Sequence, residues 1–226
     1  MKNTIINVIL IFFFLVCTAD ASEDADSLEP YLLPAVAQGK IEDIKLLVSK
    51  GVNINYQAPD SGIDALSLAV YVKNEAAMKL LITSGINLNL KNKLGVTALH
   101  TAIISNNIQA VKLLLSKGAN STVSSKGLTP IMLASSVGNN EMIKIFMEKG
   151  ESINTTQPDG WTALMHAIAK HKLETVVFLL DNHADINAKA SLDEGGPLIS
   201  VLEMAQYYGD QKIINTIIEK SSTLVK

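Results

Sequence analysis

The sequence contains no arginine. All 19 of its basic residues are lysines, they are outnumbered by 22 acidic residues, and the formal net charge is −3. Arginine is the side chain best suited to bidentate recognition of phosphate, and lysine replaces it poorly at such sites. No lysine-rich run compensates for its absence. These features argue against nucleic acid as a partner.

Long apolar runs are also missing, except at the N-terminus. Ile5 to Val16 is apolar apart from Asn7, follows Lys2, and precedes Ala19-Asp20-Ala21. A short positively charged N-terminal region, an apolar core and small residues before the cleavage site are typical of an export signal. We therefore predict a signal peptide over residues 1–21; the apolar core is short for a membrane span, although an uncleaved anchor is the alternative.

Cysteine is nearly absent, because Cys17 is the only one in 226 residues. Lipidation of Cys17 is disfavoured, since Phe14-Leu15-Val16 lacks the small residue that such processing normally requires. Cleavage after Ala21 would remove this cysteine and leave a chain without disulfides, which must depend on packing alone. The mature protein is then expected outside the cytoplasm of a bacterial cell, either periplasmic or secreted, with no membrane contact.

Signals for catalysis and metal binding are lacking as well. The four histidines have no paired spacing; His166 and His171 are five residues apart, and a mature chain would offer no cysteine ligand. There is no Gly-x-Ser-x-Gly elbow and no glycine-rich phosphate loop. The sequence predicts no enzyme activity, no cofactor and no metal.

A recurring phrase is the strongest positive feature. Gly95-Val-Thr-Ala-Leu-His100 returns as Gly127-Leu-Thr-Pro-Ile-Met132 and Gly160-Trp-Thr-Ala-Leu-Met165, and more loosely as Gly62-Ile-Asp-Ala-Leu-Ser67. The glycines are separated by 33, 32 and 33 residues. A fixed period of this length indicates a solenoid of repeats.

Each repeat predicts two short antiparallel helices. Thr97 and Thr129 stand where a hydroxyl can cap a helix, and Pro130 stands at a first helical position. A second phrase, such as Val111-Lys-Leu-Leu-Leu115, forms the second helix, which ends at Gly85, Gly118 or Gly150. His183 occupies the position of that terminating glycine in a later repeat.

Together the two phrases resemble the ankyrin repeat over roughly residues 30–220. The resemblance implies an all-α solenoid of helix-turn-helix units joined by β-turn-like fingers, with His100 as a structural residue that hydrogen-bonds between loops. We expect an acidic leader at 22–29, a repeat domain at 30–222 and a tail at 223–226. The expected repeats are 30–56, 59–91, 92–123, 124–156, 157–190 and 191–222, the first and last acting as caps and the last carrying an insertion at 193–200.

In this family, the finger tips and the exposed side of the first helices line a concave groove that binds proteins. Apolar side chains in a row at such positions suggest a contact surface, and tryptophan and tyrosine are frequent in binding hot spots. The candidate partner-binding residues here are Ile63, Tyr71, Leu94, Val96, Ile104, Leu128, Val137, Trp161 and Lys170. The row of lysines on the second helices (Lys45, Lys79, Lys112 and Lys144) is better explained as a solvated face than as an acidic-partner site.

The sequence therefore predicts an exported, monomeric, non-enzymatic scaffold that binds another protein through its concave face, as a periplasmic accessory protein. A secreted effector that binds host proteins is the alternative. A third hypothesis, of a different class, is an enzyme with its site in the 193–200 insertion.

Overall fold

A computed structural model describes residues 27–121, 127–193 and 195–223. The predicted signal peptide, most of the acidic leader and residues 224–226 of the predicted tail lie outside this part of the chain. By its internal contacts the chain divides into two compact bodies, Met1–Ala98 and Leu99–Lys226. In the described part, no helix is long and apolar enough to cross a membrane.

In its described residues, the N-terminal body contains four helices. They are α1 (Glu29–Ala37), α2 (Ile41–Ser49), α3 (Ala65–Tyr71) and α4 (Glu75–Thr83). Within each repeat the two helices pack together, α1 on α2 and α3 on α4, and the repeats stack through α1 on α3 and α2 on α4. This is the pairing expected when each unit contacts only its neighbours.

The C-terminal body continues the same arrangement from α5, whose first residue is the last of the N-terminal body. Its elements are α5 (Ala98–Ile104), α6 (Ile108–Ser116), α7 (Pro130–Val137), α8 (Asn140–Glu148), α9 (Ala163–Ala169), α10 (Leu173–Asp181), β1 (Lys189–Ser191), β2 (Leu198–Ser200), α11 (Val201–Tyr208) and α12 (Gln211–Thr223). First helices stack as α7 on α9 and α9 on α11, and second helices as α10 on α12.

Four of the first helices, α3, α7, α9 and α11, begin at side chains that accept hydrogen bonds from free backbone N–H groups. The Asp64 carboxylate accepts hydrogen bonds from the backbone N–H groups of Leu66 and Ser67, both at 2.9 Å. Thr129 caps α7 and Pro130 is its first residue, as predicted, and Thr162 caps α9 in the same way. The local sequence therefore specifies where each of these helices starts.

Both helices of a repeat end at a residue with a left-handed backbone. The first helices are followed by Gly39, Lys73, Asn106, Gly138, His171 and Gly209, and the second by Gly51, Gly85, Gly118, Gly150 and His183. His183 has a φ of 65°, which confirms that it replaces a terminating glycine.

The buried core positions recur with the period of the sequence repeat. The fourth residue of the second-helix phrase is buried in every repeat, and its occupants are Leu47, Leu81, Leu114, Phe146, Leu179 and Ile217. The stacking of neighbouring repeats within each body therefore buries the same apolar position each time.

Three details differ from the predicted boundaries. Glu29 already belongs to α1, so the leader ends one residue earlier than expected. The last helix runs from Gln211 to Thr223, one residue beyond the predicted end of the repeat domain at 222. Residues 198–200 of the insertion form β2, which pairs antiparallel with β1 so that Ala190 lies opposite Ile199.

Candidate functional site

The fingers of the second and third repeats are joined by backbone and amide hydrogen bonds. Gln57 donates from its side-chain amide to the carbonyl oxygens of Gly62 (2.6 Å) and Lys91 (3.0 Å). A Cβ on Gly62 would approach the backbone nitrogen of Lys93 to 2.9 Å, so only glycine fits between the two fingers. The Asn92 side chain accepts from the N–H groups of Leu94 and Val96, both at 2.9 Å. The tips are therefore held in fixed positions.

The fingers of the fifth and sixth repeats meet at Trp161. Its indole N–H donates to the carbonyl oxygen of Ser191 in β1 at 2.7 Å, and the Ser191 N–H donates to the carbonyl of Asp159 at 2.9 Å. Gly160 lies directly against the backbone of Lys189, where a Cβ would clash. These bonds attach the β1–β2 hairpin to the neighbouring finger.

His166 lies beside Trp161 and is neutral at physiological pH. The two ring centroids are 5.1 Å apart, and Nε2 of His166 lies 2.7 Å from Oε1 of Gln157. Burial lowers the pKa of His166 to about 4, against an opposing effect of the Asp159 carboxylate and with a smaller contribution from Lys170. Because Gln157 offers an oxygen, the neutral ring donates through Nε2.

The exposed side of the first helices carries aromatic and apolar side chains. The position two residues before the left-handed turn holds Tyr71 in the second repeat and Ile104 in the third, both half-buried, and Tyr207 in the sixth. Tyr207 is 69% exposed, the highest value among the large apolar side chains of the described residues. Its ring packs edge-on against Tyr208 at 5.2 Å, and Tyr208 in turn packs against His171 at 6.4 Å.

The lysine row has partners within the chain. Lys45 pairs with Glu42 at 2.7 Å, Lys79 with Glu75 at 2.5 Å and Lys112 with Glu141 at 2.7 Å. The fourth, Lys144, lies over the ring of Phe178 at 5.5 Å. Such exposed contacts organise a solvated surface and contribute little to stability.

The insertion uses its polar side chains for local structure. The Ser200 hydroxyl donates to the Glu203 carboxylate at 2.8 Å and accepts from the Glu203 N–H at 3.2 Å, which caps α11. The Ser191 hydroxyl donates to the carbonyl of Asp193. Within the described ranges, no group of three or more His, Cys, Asp or Glu side chains could hold a metal ion.

The comparisons with known proteins agree with this repeat geometry. A family model described as "Ankyrin repeats (3 copies)" matches residues 32–125 and 120–190, which is more than half of the chain. The chain belongs to the ankyrin-repeat family.

A solved structure supports the fold of this ankyrin-repeat protein. The crystal structure of the human ASB11 ankyrin repeat domain is similar to it with a TM-score of 0.71 and 24% sequence identity, over 84% of this chain and 82% of that one. No curated protein matches the sequence significantly. The ankyrin-repeat architecture is thus shown, and its repeats generally mediate protein–protein interaction.

The nine predicted binding residues differ in how the ankyrin fold presents them. Leu94, 51% exposed, and Lys170 lie fully on the surface. The others are half-buried: Ile63, Tyr71, Val96, Ile104, Leu128, Val137 and Trp161. Ile63, Tyr71, Leu94 and Val96 belong to the N-terminal body, and the remaining five to the C-terminal body.

Sequence analysis did not identify Tyr207 as an exposed residue at the first-helix position that also holds Tyr71 and Ile104. The insertion at 193–200 lengthens the sixth repeat, so counting residues from the previous repeat does not reach Tyr207. Counting back from Gly209, the left-handed residue, places it at the position of Tyr71 and Ile104. The terminating glycine was the signal that could have identified it.

Proposed function

We propose that this ankyrin-repeat protein is a non-enzymatic scaffold that captures another protein on its finger tips and the exposed side of its first helices, the concave face of the family. Fingers fixed by their own hydrogen bonds lose little conformational freedom on binding, which favours affinity. A single copy presents the whole surface. The partner is a folded or extended protein with apolar side chains that complement the apolar side chains of this face.

The observation that carries this proposal is the exposure of Tyr207 at the repeat position that also holds Tyr71 and Ile104. A large apolar or aromatic side chain occupies this position in three repeats, exposed at Tyr207 and half-buried at Tyr71 and Ile104, whereas solvation alone would favour a polar residue. Tyrosine supplies a large contact area with few rotatable bonds and is enriched in hot spots. Trp161 contributes less directly, because its N–H is already bonded to Ser191.

Affinity capture with the processed chain from its native compartment, followed by mass spectrometry, would identify the partner. Binding of that partner is then measured for Tyr207→Ala and for Tyr71→Ala. We expect each variant to weaken binding by at least about ten-fold, the range of a hot-spot residue. Gln206→Ala, on the same helix as Tyr207 and also exposed, should bind as the unmodified protein does.

If both tyrosine variants bind normally while their circular dichroism is unchanged, the partner does not use the first-helix face. Trp161 can contact the partner with its ring and also donates a hydrogen bond to Ser191. Trp161→Phe separates these two roles, because it retains an aromatic ring and removes only the donor to Ser191. A binding loss with Trp161→Ala but not with Trp161→Phe supports direct contact of the ring with the partner.

We also propose that the protein acts outside the cytoplasm, as a periplasmic accessory protein. The apolar segment Ile5–Val16 and the small residues Ala19 and Ala21 support export. Cell fractionation tests this, with N-terminal mass spectrometry to find the processed end. Recovery from the culture medium would favour the alternative, a secreted effector that binds host proteins, and an intact N-terminus in the cytoplasm would contradict export.

A further inference from the structure

The last repeat exposes apolar side chains that are more deeply buried in the earlier repeats. Leu202 and Ile214 are half-buried and Ile218 is 49% exposed. Counted from the left-handed turn, their counterparts in the third repeat are Leu99, Val111 and Leu115, which are only 2%, 0% and 9% exposed.

The position of Ile214 shows that this exposure belongs to the end of the stack. Its five counterparts are each no more than 2% exposed; they are Ile44, Met78, Val111, Ile143 and Val176. Terminal repeats normally carry a polar outer face. Here α11 carries the polar residues Glu203 and Gln206 on its surface, whereas α12 carries the apolar residues Ile214 and Ile218 there. We call Leu202, Ile214 and Ile218 the C-terminal end face.

The first repeat has a matching apolar surface. Leu46 is 53% exposed and Tyr31 is 64% exposed, and together with Pro34 and Leu47 they line a groove of about 300 Å³. The counterpart of Leu46 in the fifth repeat is Phe178, whose ring lies under Lys144 of the preceding repeat. This position therefore faces the preceding repeat, and in the first repeat its occupant, Leu46, is exposed. We call Tyr31, Leu46 and this groove the N-terminal end face.

The charges of the two end faces match as those of the fifth and sixth repeats do. Lys220 of the sixth repeat pairs with Asp181 of the fifth at 2.5 Å. The counterpart of Lys220 on the N-terminal side is Lys50, and the counterpart of Asp181 on the C-terminal side is Glu219. Stacking the first repeat of one copy on the sixth of another would bring Lys50 and Glu219 together with the correct signs.

A second polar pair follows the same register. The Thr175 hydroxyl of the fifth repeat donates to the Asn140 side chain of the fourth at 2.8 Å. The corresponding residues across the end faces are Asp43 and Gln211, a carboxylate and an amide that can donate to it. Both end faces thus carry apolar and polar groups in the register of an internal repeat interface.

From these observations we propose that a second copy of this chain covers the end faces, the N-terminal end face of one copy stacking on the C-terminal end face of the next. From the sequence we expect a monomer, whereas the matching groups on the two end faces lead us to propose self-association. The contact uses surfaces other than the finger tips and first-helix row, so it does not depend on the proposed partner-binding function. It is heterologous, and it leaves one end face of each kind free on a dimer.

The test measures mass against concentration by sedimentation equilibrium, using the chain purified from expressing cells with its N-terminus identified. The weight-average mass should rise above that of the monomer between micromolar and millimolar concentration. Leu46→Lys and Ile218→Lys each place a charge in one end face, and each should weaken self-association at least about ten-fold, because the contact would bury an unpaired charge. Both positions are exposed, and circular dichroism checks that the variants fold.

Mixing the two variants gives the decisive measurement. Leu46→Lys retains an intact C-terminal end face and Ile218→Lys an intact N-terminal one, so the mixture should form a one-to-one dimer and nothing larger. A monomeric unmodified chain at millimolar concentration overturns the proposal. It is also overturned if Ile218→Lys associates normally, which would indicate contact between two N-terminal end faces.

Charge reversal tests the register of the contact. Lys50→Glu alone should weaken association, and Lys50→Glu combined with Glu219→Lys in the same chain should restore it, because every junction then regains an opposite pair. Reversal of Lys149, an exposed lysine at the same repeat position as Lys50 but away from both end faces, should change nothing. Failure of the double variant to recover contradicts the proposed pairing.

Discussion

At the scale of single residues, the repeat shows which positions carry strain. The left-handed turn after the first helix is occupied by glycine in three repeats and by Lys73, Asn106 and His171 in the others. A residue with a Cβ is destabilised by roughly 1–2 kcal/mol in this conformation, while glycine adopts it with little strain. The same backbone position therefore has a different energetic cost from one repeat to the next.

Lys73→Gly should stabilise the protein. Lys73 is exposed with a φ of 57°, so glycine relieves the backbone without removing a packed side chain. We expect a gain of about 1 kcal/mol in the free energy of unfolding, after allowing for the larger entropy of glycine in the unfolded chain. Urea denaturation measures it. Lys73→Ala keeps the Cβ and should give no comparable gain; an equal gain would show that the lysine side chain, not the backbone, is responsible.

Glu151 makes the stability depend on pH. It stands where other repeats place Val52, Ile86, Ala119 and Ala184, all of which are buried. Burial raises the pKa of Glu151 from 4.5 to about 7, against a weaker opposing effect of the Ile131 backbone. Between those values the folded state holds a proton that the unfolded state releases. The cost of Glu151 is therefore absent below pH 4.5 and complete above pH 7.

Glu151→Ala should accordingly stabilise the protein at pH 8 and have less effect at pH 5. We expect roughly 1–2 kcal/mol at pH 8, a discounted figure because the side chain is still partly exposed. Urea unfolding at the two pH values measures the difference. Glu148→Ala, which removes an exposed carboxylate from α8, should leave the pH dependence as it is. If the Glu151→Ala variant keeps the pH dependence of the unmodified protein, Glu151 is excluded as its source.

At the scale of elements, the β1–β2 hairpin depends on Trp161. The Trp161→Phe change removes the indole N–H that donates to Ser191 and retains an aromatic ring. Loss of one such bond costs about 1 kcal/mol, which corresponds to roughly five-fold faster exchange of the Ser191 amide. Hydrogen exchange by NMR measures it, with the Ala98–Ile104 helix as the internal reference. Unchanged exchange at Ser191 would mean that the hairpin is held by other contacts.

The helices and the hairpin differ in how well the sequence predicted them. Thr129, Thr162 and Pro130 specify helix starts by local chemistry, so α7 and α9 could be placed from sequence. The hairpin could not, because its strands are three residues long and β1 is held by the backbone of Asp159 and the side chain of Trp161. A tertiary contact with another finger, not a local pattern, makes residues 189–191 a strand.

At the scale of the whole molecule, stability should be distributed along the repeats. Phe146 is fully buried in α8, and Phe146→Ala should destabilise the C-terminal body by about 3–5 kcal/mol. Because each repeat contacts only its neighbours, amide exchange should accelerate most in α7 to α10 and least in α1 and α2. Leu81→Ala, fully buried in α4, provides the converse comparison. Uniform acceleration along the chain would show that the repeats unfold as one cooperative unit.

The sequence by itself determined the repeat. Its glycine spacing, capping residues and apolar stripe fix helices, turns and core, because each depends on contacts inside a repeat or between adjacent ones. Tertiary structure alone decided which variable positions reach solvent. It bonds Trp161 to Ser191, exposes Tyr207, Leu46 and Ile218, and leaves Ile214 half-buried. Exposure depends on whether a neighbouring repeat covers a side chain, and a repeated motif is the same in the middle of the stack and at its ends.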